Sequence, residues 1–518
     1  MSQRQIAPAV HSAANPRLST ALLAALASGG LYFAAFPPLD IGPLAFVALV
    51  PLLAVCPRQS RRAAFLTGWL AGTIGIYALV TPSIHEAALR YAPDHPLVAW
   101  LLALLIPQFY GALYFGIFAL LARLLVARGD GPWVELLLLP AAWVAGEVVR
   151  SHLGDGCPWV LLGHSQYQRL SLIQVADLGG VPAVSYVVAL VNVALAALSR
   201  REHPLAARLA SAALAAVMVG AVWLYGDWQS RRWAQPAGAA LRVALVQGDV
   251  PDEWRYRLRR VPDTVHRLSE LTAQAAASRP DLVVWPENAV SVLIGGQESV
   301  VAGASAQLPP GTALLLGAPR AVERGTQVEL RNAALVFEAG RLTGAYDKLR
   351  LTPFGETYPF GLAAWLPPPT GGYSPGSEEA LLAVGGHRFA AVICYEAIYA
   401  DLVRRLVGRG AEFVVNISND GWFGQQPSLA QHFHAALFRA VENRRFLLRG
   451  TNAGITAIVD PRGAVVAEAP REVPVVLDGT VTPIAERTLY GRVGDVFGWG
   501  CVAIVAVALA RRRAGRGL

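Results

Sequence analysis

Lysine is almost absent from this chain of 518 residues. Of its 44 basic residues, Lys348 is the one lysine and 43 are arginine. Arginine serves wherever a positive charge alone suffices. It cannot replace lysine where a compact ammonium must enter a site or change protonation state. Lys348 stands in "AYDKLRLTPFGE", just after a predicted strand, and is therefore a candidate for chemistry, against the plain alternative of a codon bias. Cysteine is scarce too, with Cys56, Cys157, Cys394 and Cys501. No Cys/His cluster has metal-ligand spacing, and His432 and His434, two apart on a predicted helix, face different sides. No metal or cofactor is expected. Charged residues make up only 15% of the chain, hydrophobic ones 54%, and the mean hydropathy is +0.41. Those values lie outside the range of soluble domains. The net charge of +8 is not gathered into patches interleaved with aromatics, which excludes nucleic-acid binding as its natural explanation. There is no low-complexity tract and no solenoid period.

What is abundant is apolar sequence in long runs. A bilayer span needs about 20 helical residues. Candidate spans fall at 18–36, 40–56, 63–82, 97–126, 133–150, 181–199, 205–226 and 492–510. The first is not read as a cleaved signal, because further spans follow at once and no small-residue cleavage site ends it. With the N-terminus inside, the inside loops hold Arg58, Arg61, Arg62, Arg123, Arg128, Arg200, Arg201 and Arg208. The tail adds Arg511, Arg512, Arg513 and Arg516. The outside loops hold only Arg90, Arg150 and Arg169. That asymmetry predicts both termini in the cytoplasm and the stretch from 227 to 490 outside, in the periplasm of a double-membrane bacterium. Cys56 and Cys501 fall in spans and Cys157 in an outside loop, so no disulfide is expected.

The outside stretch has a different texture. After the polar linker "DWQSRRWAQPAGAA" come short Val/Ile/Leu runs such as "LRVALVQGDV", "DLVVWPENAV", "FAAVICYEA" and "EFVVNISND", the pattern of strands buried on both faces. Amphipathic helical segments such as "TVHRLSELTAQAAA" and "LAQHFHAALFRAVENRRF" lie between some of them. The expected organisation is a membrane domain over 1–226, a layered α/β domain over 227–490, and a last span with a basic tail over 491–518.

Within that α/β stretch, "AAVICYEAIYADLV" places Cys394 between a strand ending at Ile393 and a helix expected from Glu396 to Val407. A thiol at the carboxyl end of a strand sits where open α/β sheets hold their ligands. A helix N-terminus just after it would favour the thiolate, the nucleophilic form. A buried core cysteine is the plain alternative. In "VVWPEN", Glu287 follows a strand end and a stiffening Pro286. A carboxylate there can act as a general base if burial raises its pKa, or can be an ordinary helix-entry glutamate.

Glu287 in "WPEN", Lys348 in "YDKLRLTPFGE" and Cys394 in "VICYE" occur in the order Glu, Lys, Cys. The set resembles the carbon–nitrogen hydrolase (nitrilase) superfamily. The extended "KLRLTPFGE", with "GEVVRSHLGDGCPWVLLGHSQ", "VQGDVP", "NISNDGWFG" and "RGTNAGITAIVDPRG", resembles its membrane-embedded branch, the apolipoprotein N-acyltransferase family, over almost the whole chain. The resemblance implies a polytopic α-helical membrane domain of about eight transmembrane helices plus a periplasmic α-β-β-α nitrilase-like sandwich. It implies a phospholipid acyl donor, usually phosphatidylethanolamine, and a diacylated apolipoprotein acceptor. Cys394 is then the nucleophile and Glu287 the base, with Lys348 and a backbone N–H near Tyr395 on the oxyanion. Glu356 matches a supporting glutamate, and Glu396 is placed to orient the lysine. Tyr395, Trp422 and Phe423 are candidates to line the acyl path. Trp254, which follows "VQGDVP" earlier than the family's tryptophan does, is a candidate for its role. Two alternatives remain at this point: a membrane-tethered amidase or nitrilase, and a non-enzymatic lipid-binding or transport protein.

Overall fold

The computed structural model of the chain describes residues 17–91, 95–126, 130–251, 260–290, 299–325, 327–357, 372–424 and 427–514. The N-terminal part is helical: α1 (Leu18–Ala34), α2 (Arg61–Tyr91), α3 (Pro96–Leu125, with a π-helical turn over Gln108–Ala112), α4 (Pro132–His152), α5 (Ala176–Leu198) and α6 (Leu205–Arg232). Among the described residues five helices, α2 to α6, are long and apolar enough to cross a membrane. Five of the eight expected spans coincide with these helices. Helix α1 is shorter, and the segment expected to span over 40–56 is broken. It consists of a 3-10 turn Gly42–Phe46, a helix Val50–Val55 and a 3-10 turn Cys56–Arg58. Pro43, Pro51 and Pro57 each remove a backbone donor from it, which interrupts a continuous ladder. Helix α5 starts earlier than its apolar pattern, and Gly180 at φ 69 kinks it. A Cβ there would approach the Tyr490 ring to 2.8 Å.

Helices separate some of the strands, as the sequence pattern predicts. They are β1 (Leu241–Gln247), β2 (Leu282–Val284), β3 (Ala313–Arg324), β4 (Gln327–Glu338), β5 (Arg341–Asp347), β6 (Leu382–Val384), β7 (His387–Ile393), β8 (Phe413–Ser418), β9 (Leu447–Thr451), β10 (Ala457–Val459), β11 (Val465–Glu468) and β12 (Val475–Val481). They form two six-stranded sheets in the orders β12-β1-β2-β3-β4-β5 and β11-β10-β9-β8-β7-β6. The strands β1, β2 and β3 run parallel, as do β7, β8 and β9. One core lies between the sheets, where Val243, Leu282 and Leu315 meet Phe389, Phe413 and Ile417.

The outer face of the first sheet is covered by α7 (Val261–Ala276) and α8 (Ser299–Ala306). In α7 the residues Val261, Leu268, Leu271 and Ala275 recur at helical spacing and are buried against Val246 and Leu314. The outer face of the second sheet carries α9 (Ala400–Gly408) and α10 (Ser428–Asn443). This is an α-β-β-α sandwich. Helix α10 is buried on every side, because Leu161, Ile173, Val181 and Val184 of the helical part join the same core beneath it. A buried ion pair ties the junction: the guanidinium of Arg444 lies 2.6 Å from the carboxylate of Asp177 in α5. The chain closes with α11 (Val496–Ala514), whose last turn holds Arg511, Arg512 and Arg513.

Candidate active site

The two sheets place their strand ends at one point. Glu287 follows β2, Lys348 follows β5 and Cys394 follows β7. The turn bearing Glu287 lies flat on β3 because Gly317 has no side chain. A Cβ at Gly317 would fall 2.6 Å from Cα of Glu287. The structure brings Glu287, Lys348 and Glu356 together without intervening groups. Nζ of Lys348 lies 2.8 Å from Oε2 of Glu356, 3.2 Å from Oε1 of Glu287 and 3.5 Å from Oγ1 of Thr352. Nδ2 of Asn332, in β4, donates to both carboxylates, at 2.8 Å to Glu287 and 2.7 Å to Glu356. The backbone N–H of Asn419, just past β8, donates to Oε2 of Glu287 at 3.0 Å. Lys348 is 1% exposed. Burial alone would lower its pKa, but the carboxylates of Glu287 and Glu356 outweigh that and hold the ammonium charged. Burial pushes Glu356 up, and Lys348 then pulls it below the usual carboxylate value.

Cys394 occupies the left-handed region at φ 52, a conformation that costs a non-glycine residue roughly 1–2 kcal/mol. The expected helix N-terminus does not follow it directly: a 3-10 turn Cys394–Ile398 comes first, and α9 starts only at Ala400. Nor is the thiolate favoured. Burial and the Glu287 carboxylate push the thiol well above its ordinary pKa, against the opposing pull of Lys348. The resting group is the thiol, and a proton acceptor must act as it attacks.

Glu396 is buried and does not touch the lysine ammonium. Its Oε1 accepts from the backbone N–H of Leu349 at 2.7 Å and of Arg350 at 3.0 Å, and from the Tyr346 hydroxyl at 2.9 Å. Its Oε2 accepts from the N–H of Ile393 at 2.8 Å. It therefore clamps the strand that precedes Cys394 to the loop that follows Lys348. Burial raises its pKa to about 7 despite those bonds. Glu396→Ala is expected to leave four donors unmet, two of them buried and two partly buried. Each such group costs about 1–3 kcal/mol, so a loss of more than about 3 kcal/mol should appear in denaturant unfolding. An unfolding free energy unchanged from wild type would contradict the clamp.

Aromatic side chains gather beside the thiol. Trp159, from the loop after α4, stacks near Tyr395 at 6.4 Å between ring centroids, lies 6.0 Å from Phe423, and donates from Nε1 to Oε1 of Gln431 at 2.8 Å. Tyr395 also bonds Sγ of Cys157 at 3.8 Å through its hydroxyl. Trp422 sits in the same 3-10 turn as Phe423, Asp420–Phe423, and is partly buried. Trp254 lies outside the described residues. His432 and His434 reach different groups: His432 approaches the Cys394 carbonyl, and His434 stacks on Tyr167 at 3.5 Å. The four cysteines are free thiols.

The sequence patterns did not single out Asn332, Trp159, Asp420 or Arg449, and they weighed His432, the third member of a trio with Asp420 and Arg449, only as a metal ligand. The trio had a legible signal. Arg449 interrupts the apolar strand "FLLRGT", and a buried arginine in a sheet requires an acidic partner. Asp420, at the end of the neighbouring strand, supplies it at 2.6 Å.

Comparison with known proteins bears on both halves of the chain. Residues 28–194 match the family model described as the apolipoprotein N-acyltransferase N-terminal domain, and residues 242–483 match that of carbon-nitrogen hydrolases. The apolipoprotein N-acyltransferase of Geobacter metallireducens is 36% identical over 509 residues, which is 95% of each chain. That of Azotobacter vinelandii is 36% identical over 507 residues, 95% of this chain and 96% of its own. Among solved structures, an amidase of the nitrilase superfamily from Nesterenkonia AN1 matches at 20% identity with a TM-score of 0.38, over 50% of this chain and 95% of its own. On the two family models and these full-length relatives, the chain belongs to the apolipoprotein N-acyltransferase family.

Proposed function

We propose that the chain moves a fatty acyl group from a phospholipid to the N-terminal amine of a diacylglyceryl-cysteine in an apolipoprotein, through a thioester on Cys394. The observation that carries this reading is the meeting of Glu287, Lys348 and Glu356 beside a partly buried thiol, on a sandwich whose helix layer packs directly onto apolar helices. In the first half-reaction Glu287 takes the Cys394 proton as sulfur attacks the ester carbonyl. Lys348 and the Tyr395 N–H hold the resulting oxyanion. Collapse breaks the ester C–O bond, and Glu287 returns the proton to the departing lysophospholipid. In the second half-reaction the amine attacks the thioester, Glu287 takes its proton, and the C–S bond breaks as Glu287 returns that proton to sulfur, leaving an amide and the free thiol. Glu356 and Asn332 fix the lysine and the base in register. Trp159, Phe423 and Tyr395 form an apolar wall suited to an acyl chain, which an amidase releasing small products to water would not need.

Purified protein in detergent, given phosphatidylethanolamine and a diacylated lipopeptide, is expected to yield a lipopeptide heavier by one acyl chain together with lysophospholipid. Release of free fatty acid without acylated peptide would favour the amidase-like alternative. Glu287→Gln is nearly isosteric but cannot take a proton. It is expected to lower kcat/KM by more than about ten-fold, about 1.4 kcal/mol. A smaller loss would remove Glu287 from the role of base.

The arginine distribution supports a periplasmic catalytic domain on an inner-membrane anchor. A reporter that is active only in the periplasm is expected to be active when fused within residues 227 to 490 and silent after Arg513. The reverse pattern would overturn the orientation and the substrate class with it.

A further inference from the structure

Against the backbone carbonyl of the nucleophile lies a second buried polar cluster that the steps above do not use. His432 in α10 stands 3.1 Å from the Cys394 carbonyl oxygen through Nε2. A carbonyl only accepts, so Nε2 carries the hydrogen and donates. The other ring nitrogen, Nδ1, lies 3.1 Å from Nη2 of Arg449 and 3.0 Å from Oδ1 of Asp420. Arg449 reaches Oδ2 of Asp420 at 2.6 Å and also bonds the side chain of Asn416. The Ser418 hydroxyl donates to Oδ1 of Asp420 at 2.8 Å. Nδ2 of Asn416 approaches the Cys394 carbonyl at 3.5 Å and bonds the Val392 carbonyl at 3.0 Å. All of these side chains are buried. The imidazole is sandwiched further by the Trp159 ring, 5.5 Å away and nearly parallel. Burial and then Arg449 lower its pKa, against the pull of Asp420, so the ring is neutral near pH 7.

The geometry matters because of which peptide group is held. The carbonyl of Cys394 and the N–H of Tyr395 belong to one planar peptide unit. A donor on the oxygen end polarises the unit and makes its N–H a stronger donor at the other end, as in any chain of hydrogen bonds. We propose that His432 is a positioning residue of the oxyanion hole: held by Arg449, which donates to Nδ1 and is itself anchored by Asp420, it donates to the Cys394 carbonyl and so orients and strengthens the Tyr395 N–H that receives the developing oxyanion. This rests on the assignment of Cys394 as nucleophile and of the Tyr395 N–H as oxyanion donor. The imidazole touches neither substrate nor thiol in this arrangement and moves no proton in the cycle.

The test compares His432→Phe, which keeps an aromatic ring against Trp159 but has no donor, with His432→Gln, whose amide can reach the same carbonyl. Full-length enzyme in detergent is acylated from phosphatidylethanolamine carrying a carbon-13 ester carbonyl. Three quantities are read: the acylation rate, the infrared stretch of the labelled thioester, and the rate at which iodoacetamide alkylates Cys394, located by peptide mass. Alkylation passes through no oxyanion. His432→Phe is expected to slow acylation roughly ten-fold in kcat with KM little changed, less than outright loss of an oxyanion donor. Its thioester carbonyl should stretch at higher wavenumber, and alkylation should keep its wild-type rate. His432→Gln is expected to recover most of the rate and the wild-type band position. A glutamine variant as slow as the phenylalanine one would overturn the proposal, because the imidazole would then be acting as a proton carrier. An unmoved carbonyl band, or alkylation that falls in step with acylation, would reduce His432 to a packing role around the thiol. Failure of wild-type Cys394 to form any thioester would instead overturn the nucleophile assignment on which the proposal rests.

Discussion

Cys394→Ala is expected to abolish acyl transfer and the covalent intermediate together, with a loss in rate of more than about 10,000-fold. No neighbouring group can take over. The Ser418 hydroxyl is committed to Asp420 at 2.8 Å. Cys157 is held by the Tyr395 hydroxyl at 3.8 Å and stands on the helical side of that ring. Alanine tolerates the positive φ no worse than cysteine does, and the loss of one sulfur from a partly exposed position should leave the fold intact. A folded Cys394→Ala protein that still acylates a lipopeptide at a measurable fraction of the wild-type rate would remove Cys394 from the reaction.

Lys348→Arg should also be strongly damaging, although it conserves charge and the chain uses arginine at every other basic position. The ammonium fits between two carboxylates, 2.8 Å from Glu356 and 3.2 Å from Glu287, with almost no exposed surface. A guanidinium is broader and planar, and it prefers to grip one carboxylate with two parallel bonds. It would draw Glu287 or Glu356 out of place and hold its charge at a different distance from the oxyanion. Loss of a well-placed oxyanion donor costs about 100- to 1,000-fold in kcat, and that is the expected range. Overpacking of the buried site adds a stability loss of about 1–3 kcal/mol. A surface cation would show neither effect, so kinetics and thermal unfolding of one variant separate the two roles. The single lysine offers an independent check. An amine-selective reagent has only Lys348 and the N-terminus to modify, and an acyl chain on Cys394 should shield Lys348. Wild-type activity in Lys348→Arg would leave the lysine as an accident of codon usage.

The two residues differ in how far the sequence alone revealed them. Cys394 was legible through local pattern, since β7 ends at Ile393 as the apolar run "FAAVI" requires. Lys348 was legible through composition, because a chain that replaces lysine everywhere else keeps this one. Their convergence was not legible in periodicity. Glu287 and Lys348 come from one sheet and Cys394 from the other, and no residue pattern shows two sheets closing face to face. The direction of the thiol pKa also escaped local reading. A helix start was expected to favour the thiolate, but the intervening 3-10 turn and burial next to a carboxylate decide the opposite. The role of Glu396 was half legible. It orients the lysine loop through backbone N–H groups at 349 and 350, which no side-chain motif records. In the helical part, hydropathy found the apolar segments but not the proline-broken path over 42–58. Trp159 was hidden because its site lies across the junction between the helices and the sandwich.

The central claim is that an acyl group rests on the Cys394 sulfur between two half-reactions. Intact-mass measurement of the wild-type protein after incubation with phospholipid vesicles tests it most directly. The expected result is a mass increase of one acyl chain that is absent in Cys394→Ala, is removed by neutral hydroxylamine, and disappears when a diacylated lipopeptide is added as that peptide gains the same mass. An adduct on the alanine variant, an adduct that survives hydroxylamine, or acylated lipopeptide formed with no acyl-enzyme at any time would contradict it.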